Sequence, residues 1–457
     1  MNPEDKIRGV VDLCADCDIC RYLMESTCHL FPELYRLFDR EKDRGEKITA
    51  EELRHLVDLC NFCAVCPCPN IRADIMQAKT AFIDRDGLKL GIRILENVDR
   101  IGKICGAYPQ LANVLFQNKQ AGNLLKKATG IHKSRNIPRF PKENFVKWAH
   151  RQQLDQKINN IQKRKVAYFS GCTARHLFPD VAKAVVEVFQ HNKIDVYTSE
   201  QQCCGMPTML EGDRRLSLKF AEHTVAQLAG TVEDGYDIVC SCPTCGYMLK
   251  TVLKEGAYYS TEYQHAVSAD EHYMKIPKGA RTGNPDKDAF VRLKKSLYPG
   301  ILKDEGYFSS ISAHKRIMVA ENTYDLGEYL IKLYEAGEFK QTLGSISEQA
   351  AYYAPCHLRE QEIGQPYQRL LSLIPDMSVE SIEESFYCCG MAGIMGFKQN
   401  FHSASIKMGD RLIAKINEIH PQRLITDCLS CRLQFNQLTP FSVFHPIEVL
   451  KESYDKY

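Results

Sequence analysis

The phrases Gln202-Cys203-Cys204-Gly205 and Tyr387-Cys388-Cys389-Gly390 write one short motif twice in a single chain. Each is flanked by further cysteines at matching distances. The first set is Cys172, Cys203, Cys204, Cys242 and Cys245; the second is Cys356, Cys388, Cys389, Cys428 and Cys431. The five members are displaced by 184, 185, 185, 186 and 186 residues, a regularity that marks an internal duplication of residues 165–457.

Around the cysteines each copy alternates strand and helix patterns. The apolar run Val166-Ala167-Tyr168-Phe169 ends at Gly171-Cys172, a helical pattern follows from Pro179, a short strand leads to Cys203-Cys204-Gly205, and Asp237-Ile238-Val239 ends just before Cys242. In the second copy Ala351-Tyr352-Tyr353 precedes Cys356 and Leu424-Ile425-Thr426 precedes Cys428. Ligands gather past the carboxyl ends of strands in such α/β units, so five thiolates are expected to converge in each half. Gly205 and Gly390 let the backbone turn tightly there.

Working outward, eight more cysteines lie in the first 68 residues: Cys14, Cys17, Cys20 and Cys28, then Cys60, Cys63, Cys66 and Cys68. They form two C-x2-C-x2-C triplets, each with a fourth cysteine beyond. Two-cluster ferredoxins use such triplets to grip two four-iron cubes, with the fourth ligand of each supplied by the other motif. The fourth cysteines depart from the usual spacing, although Cys68-Pro69 keeps the Cys-Pro ending. Zinc is the competing reading, since C-x2-C pairs serve it too, but triplets are more than zinc needs. Cys105 and Cys240 fall outside every motif and read as small buried hydrophobes.

The bulk numbers suit this picture. At 457 residues the chain allows about three domains. A composition 44% hydrophobic and 25% charged, with a net charge of +2, gives no general case for nucleic acid. The start Met1-Asn2-Pro3-Glu4-Asp5 lacks a signal-peptide pattern and no apolar run reaches about 18 residues, so a cytoplasmic protein is expected, held at most peripherally at the inner face of a membrane through a partner. In that compartment closely spaced cysteines favour soft metals over disulfides.

The pattern C…CCG…C-x2-C, present twice after a two-cluster ferredoxin segment, resembles the catalytic chain of heterodisulfide reductase and its relatives. The ending, with ITDCLSCRLQF at 425–435 and HPIEVL at 445–450, is also similar to the C-subunit family of anaerobic glycerol-3-phosphate dehydrogenase. The first resemblance implies that each five-cysteine set holds a noncubane 4Fe-4S cluster that cleaves a disulfide, which would make all ten repeat cysteines catalytic ligands. The second implies an electron carrier working from a separate flavoprotein toward membrane quinone; its first repeat tends to lack a complete final C-x2-C, whereas Cys242-Pro243-Thr244-Cys245 is complete. Both imply an iron–sulfur oxidoreductase of anaerobic metabolism.

The expected architecture is therefore α/β. A helical two-cluster ferredoxin domain (1–118) leads through a basic linker or docking segment (119–164) to the first CCG domain (165–255), an insertion and connector (256–330) and the second CCG domain (331–457), the two CCG domains facing each other across a pseudo-twofold axis. The cofactors expected are two cubane 4Fe-4S clusters and two noncubane ones. No G-x-G-x-x-G follows a strand, so flavin or nicotinamide would belong to a partner. That partner is a flavoprotein or a dehydrogenase chain, with a quinone, ferredoxin or thiol/disulfide pool, or a membrane anchor, on the other side. Disulfide reduction by the repeats themselves and a metal-stabilised scaffold are the alternatives.

Lys119 to Lys165 carries 13 Lys or Arg against Glu143 and Asp155, with Trp148 in the middle. Such a stretch docks a partner or an anionic membrane, or is a solvated linker. His176 and His357, shortly after Cys172 and Cys356, read either as hydrogen-bond or proton donors to cluster sulfur or as structural histidines.

Overall fold

The computed structural model describes the chain except residues 1, 26, 64, 65, 67, 159–163, 268, 269, 271, 281–285, 299, 301 and 383–386. Parts of the linker and of the insertion read from the sequence thus lie outside the described residues.

Among the described residues ten strands are formed: β1 (Lys165–Phe169), β2 (Asp195–Tyr197), β3 (Asp237–Cys240), β4 (Tyr273–Lys278), β5 (Asp286–Lys294), β6 (Thr323–Asp325), β7 (Gln349–Tyr353), β8 (Ser378–Ser381), β9 (Arg423–Thr426) and β10 (Ser442–Phe444). They make two parallel four-stranded sheets, ordered β2-β1-β3-β6 and β8-β7-β9-β10, and one antiparallel hairpin, β4-β5. The two sheets have the same winding, with the first strand of each copy in the second place. β1 and β7 are buried along nearly their whole length, as central strands of a parallel sheet must be.

The halves meet by reciprocal contacts. Helix Gly171–His176, after β1, packs on Leu429–Leu438, after β9, while Cys356–Arg359, after β7, packs on Pro243–Tyr247, after β3. Pro179–His191 lies on Pro446–Lys456, and Pro366–Leu371 on Leu326–Glu335. Each contact recurs with the roles of the copies exchanged, which is the signature of a twofold relation. One apolar core runs through both copies, joining Val185, Phe189 and Tyr329 to Tyr367, Leu371 and Leu450.

Residues 256–330 hold the hairpin but also supply β6, hydrogen-bonded beside β3, and the helix Ala313–Glu321 packed on Arg214–Glu233. The later part of that stretch is thus integral to the first sheet. Residues 119–164 are not simply a solvated tether either. Arg135 is fully buried and donates to Gln434 and Ser405 of the second repeat, Ile131 bridges Lys398, and Phe145 enters the shared core.

The amino-terminal region is helical, with Pro3–Cys17, Leu30–Arg44, Ala50–Leu59 and Pro69–Asp86 enclosing their own apolar core. Thr49 starts the third of these with a capping box: its hydroxyl accepts from Glu52 N–H at 3.2 Å and its own N–H donates to the Glu52 carboxylate at 2.9 Å. The helix stops at Cys60 and the next begins at Pro69, a residue suited to the first helical turn, so the second triplet occupies the loop between them. An Arg72–Glu360 ion pair at 2.8 Å and a hydrogen bond from His29 to Ala404 O at 2.8 Å tie the domain to the second repeat.

At the seam between the repeats, His445 caps Pro446–Lys456 by accepting the Ile447 N–H at 3.1 Å on Nδ1, and its Nε2–H donates to Ser241 O at 2.9 Å. Burial pushes its pKa down to about 3, so the ring stays neutral in the folded state. His445→Asn preserves a cap but leaves the Ser241 carbonyl without this donor, and should cost about 1–3 kcal/mol at pH 7. The unfolded ring protonates near pH 6.5 and the folded one does not, so wild type alone loses stability as pH falls from there toward 3. The advantage over the variant should therefore shrink by about 1.4 kcal/mol per pH unit below about 6.5, measured by denaturation under anaerobic conditions.

Candidate functional site

The strand ends place the cysteines. Cys172 follows β1 and Cys242 follows β3, while Cys356 and Cys428 follow β7 and β9 in the same way; the Cys-Cys pairs come in after β2 and β8. In the first repeat the Cys203 thiol lies 3.8 Å from Cys172 Sγ, and Cys204 is hydrogen-bonded to both Cys203 and Cys245. In the second the Cys431 thiol donates to Cys389 Sγ at 3.0 Å, and Gly390 N–H donates to Cys388 Sγ at 3.3 Å. Both five-cysteine sets therefore converge as the repeat spacing predicts.

Crowding divides each set electrostatically. Hydrogen bonds from Cys203 and Cys245 bring the Cys204 pKa down to about 6, and one from Cys245 brings Cys242 to about 7. In the second repeat, donation from Cys388 and Cys431 holds Cys389 well below the ordinary thiol value, while burial drives Cys356 up to about 12. Buried thiols that share protons in this manner are a soft donor set awaiting positive charge. Among the described residues no three Cys, His, Asp or Glu side chains close on a point suited to a single metal ion.

The two sets are not separate. Nine of the ten repeat cysteines, all but Cys203, line one cavity of 90 Å³, together with His357 and with Cys63 of the amino-terminal domain. His357 sits at this three-way junction. It bonds Thr244 Oγ1 at 3.0 Å through Nδ1, faces Phe62 O at 3.3 Å through Nε2 and stacks on Tyr247, and burial brings its pKa down to about 4. His176 instead turns to Asp99 (3.1 Å), which also pairs with Arg175, and takes a structural place.

The amino-terminal cysteines sort into two groups. Burial, helped by the negative charge of Cys20, Cys68 and Cys17, raises the Cys14 pKa to about 12. Cys66 feels Cys60 and Cys28 and, less, Cys20, and Cys28 feels Cys60 and then Cys20. Cys68 thus stands near the first triplet and Cys28 near Cys60 and Cys66 of the second, with Cys20 within reach of both. Cys17 and Cys68 are exposed, whereas Cys60 is buried, so the first group opens to solvent and the second faces the repeats through Cys63. Cys66 also lines a larger cleft of 730 Å³ with Arg72, Tyr247 and Tyr307. Of the two cysteines outside the motifs, Cys240 is buried in β3 and Cys105 half-buried in helix Val98–Ala107.

Sequence reasoning singled out the eighteen motif cysteines, but it gave no sign that Cys63 reaches the repeats. Nor did it separate His357 from His176, since both stand shortly after a cysteine and differ only in what the tertiary packing sets opposite them.

Gly205 and Gly390 occupy left-handed backbone, at φ +92° and +80°. A Cβ on Gly205 would stand 3.4 Å from Ser217 O, whereas one on Gly390 would fall 2.0 Å from Ser405 O, in backbone that cannot retreat. Gly205→Ala should therefore cost roughly 1–2 kcal/mol of backbone strain. Gly390→Ala should cost clearly more than that, because Ser405 O blocks the Cβ as well, and denaturation of the two variants side by side measures the difference.

Known proteins agree with this arrangement. The cysteine-rich domain family, CCG, matches residues 166–250 and again 350–436. The chain is 24% identical over 382 residues to the C subunit of anaerobic glycerol-3-phosphate dehydrogenase from Escherichia coli (strain K12), covering 83% of this chain and 81% of that protein. It is 26% identical to lactate utilization protein A of Bacillus pumilus (strain SAFR-032) over 63% of this chain and 98% of the relative. To the B subunit of fumarate reductase (CoM/CoB) from Methanothermobacter marburgensis it is 22% identical, over 99% of this chain and 75% of the relative. The chain thus matches the CCG cysteine-rich domain twice, once in each repeat, and is similar to proteins that include dehydrogenase and reductase subunits.

Proposed function

We propose that the chain is the iron–sulfur electron-transfer subunit of a dehydrogenase or reductase complex. The observation that carries this is the continuity of its sulfur ligands from the surface to the interior. Cys17 and Cys68 stand in solvent, Cys63 belongs to the second group and lines the inner cavity, and the repeat cysteines surround that same cavity. Cys14, Cys17, Cys20 and Cys68 would hold one cubane and Cys60, Cys63, Cys66 and Cys28 the other; each five-cysteine set would hold a further, noncubane cluster. When bound, these groups supply one-electron storage and transfer.

The protein's own contribution is placement and insulation. The helix ends fix the triplets, the strand ends fix the five-cysteine sets, and the shared core holds the two repeats in register around one cavity. The electron source is a partner with a flavin or similar two-electron centre, and the sink a quinone, ferredoxin or thiol pool; the relatives named as dehydrogenase and reductase subunits support that division of labour. A second reading, reduction of a disulfide at the cavity itself, is favoured by the opening of both cysteine sets onto one space. Disulfide cleavage by the isolated chain with reduced viologen dye would establish it.

The metal count tests the proposal. Filled sites give ~16 irons per chain, with Cys204→Ser and Cys389→Ser each disabling one repeat cluster and sparing the cubane signals in electron paramagnetic resonance. A count near ~12 would leave one repeat without a cluster; ~8 irons, unchanged in both variants, would overturn the assignment of the repeats, and zinc without iron would overturn the function. Cys17→Ser should stop delivery of electrons from the partner while leaving both five-cysteine sets intact.

A further inference from the structure

Between residues 88 and 131 the chain folds into four short helices, Leu90–Leu95, Val98–Ala107, Pro109–Gln117 and Lys119–Ala128. They leave an unusual amount of apolar surface outside. Leu90 is 73% exposed, Tyr108 72%, Leu124 70%, Val114 65%, Ile104 60% and Leu111 59%. Pro109–Gln117 has no charged residue, and Ala112 is its one buried side chain. An apolar patch on this scale marks a surface that meets something.

The charges around it say what. Glu96 and Asp99 are the acids of the segment, and they are 0% and 3% exposed. Asp99 pairs with Arg175 and His176 of the first repeat and with Lys103 of its own helix, and Gly102 lies against that histidine, so this contact pins the helices with their other face outward. Burial raises the Glu96 pKa to about 9, which removes its charge as well. What remains outside is of one sign: Lys89, Arg93, Arg100, Lys119 and Lys127 are exposed among and beside the apolar side chains. Apolar side chains on short helices, bordered only by cations, are the pattern of helices lying in a bilayer interface. Among the described residues no helix is long and apolar enough to cross a membrane.

We infer that residues 88–131 seat the chain directly on an anionic lipid bilayer, with Pro109–Gln117 entering the interface and the lysines and arginines on the headgroups. The inference goes beyond the electron-transfer reading and does not depend on it, since vesicle binding is read without turnover. The reconstituted full chain should float with phosphatidylcholine vesicles carrying about a third phosphatidylglycerol, and much less with phosphatidylcholine alone. Raising salt to about 0.5 M should weaken the association. Lys89→Ser/Lys119→Ser/Lys127→Ser should weaken it roughly 100-fold, and Leu111→Asp/Val114→Asp should abolish it, with iron content unchanged as the control for folding. In Leu111→Trp, added anionic vesicles should shift the emission to the blue relative to wild type, whose Trp148 packs against the shared core. Absence of flotation with every vesicle, or flotation unaffected by both multiple variants, overturns the inference. If Leu111→Asp/Val114→Asp instead turns a dimer into a monomer without any lipid binding, a second copy of the chain covers the face and the inference fails.

Discussion

A thiolate removed from water with nothing to balance it is costly, and this fold removes many together. The two five-cysteine sets are almost wholly buried, at the carboxyl ends of parallel strands where apolar sheet gives way to loop. Protons can be shared within each set, as the low value at Cys204 beside Cys203 and Cys245 illustrates, but sharing only redistributes the charge. A cationic inorganic core would resolve the conflict, and its binding energy would then belong to the stability of the fold. The sheets, the glycine turns and the shared apolar core bring sulfur atoms together against their mutual repulsion.

Duplication gives the molecule its symmetry, and the seam shows where that symmetry ends. Tyr168 and Tyr352 are equivalent, yet one pairs with Ser241 and the other with Asp427. Asp325 and His445 both cap the helix after the fourth strand, one as an acid whose pKa burial raises to about 7, the other as a neutral imidazole. Gly390 is locked against Ser405 whereas Gly205 has room. The two centres are thus built from one plan in different surroundings, which suits an assembly whose two ends do different work.

The same placement separates inside from outside. Cys63 and His357 belong to different domains and meet at one cavity, with His357 hydrogen-bonded to Thr244 in the opposite repeat. The acids of residues 88–131 turn inward to hold that region on the first repeat, and the cations are left outside. One burial event sets both the position of those helices and the sign of the surface they present.

The sequence by itself determined what repeats and what is periodic: the duplicated cysteine spacings, the strand ends that carry them, the two triplets and the α/β class. Ligand identity is local information, because a thiolate must be a cysteine and a tight turn must be a glycine. Only the tertiary structure decided which groups face one another across long separations. Arg135, one of the cations in a basic stretch, proved to be buried against Gln434 and Ser405. His176 went to Asp99 while His357 went to the cavity, and Cys63 joined the amino-terminal domain to both repeats. Such pairings depend on how helices pack over distances of a hundred residues or more, and no spacing along the chain encodes them.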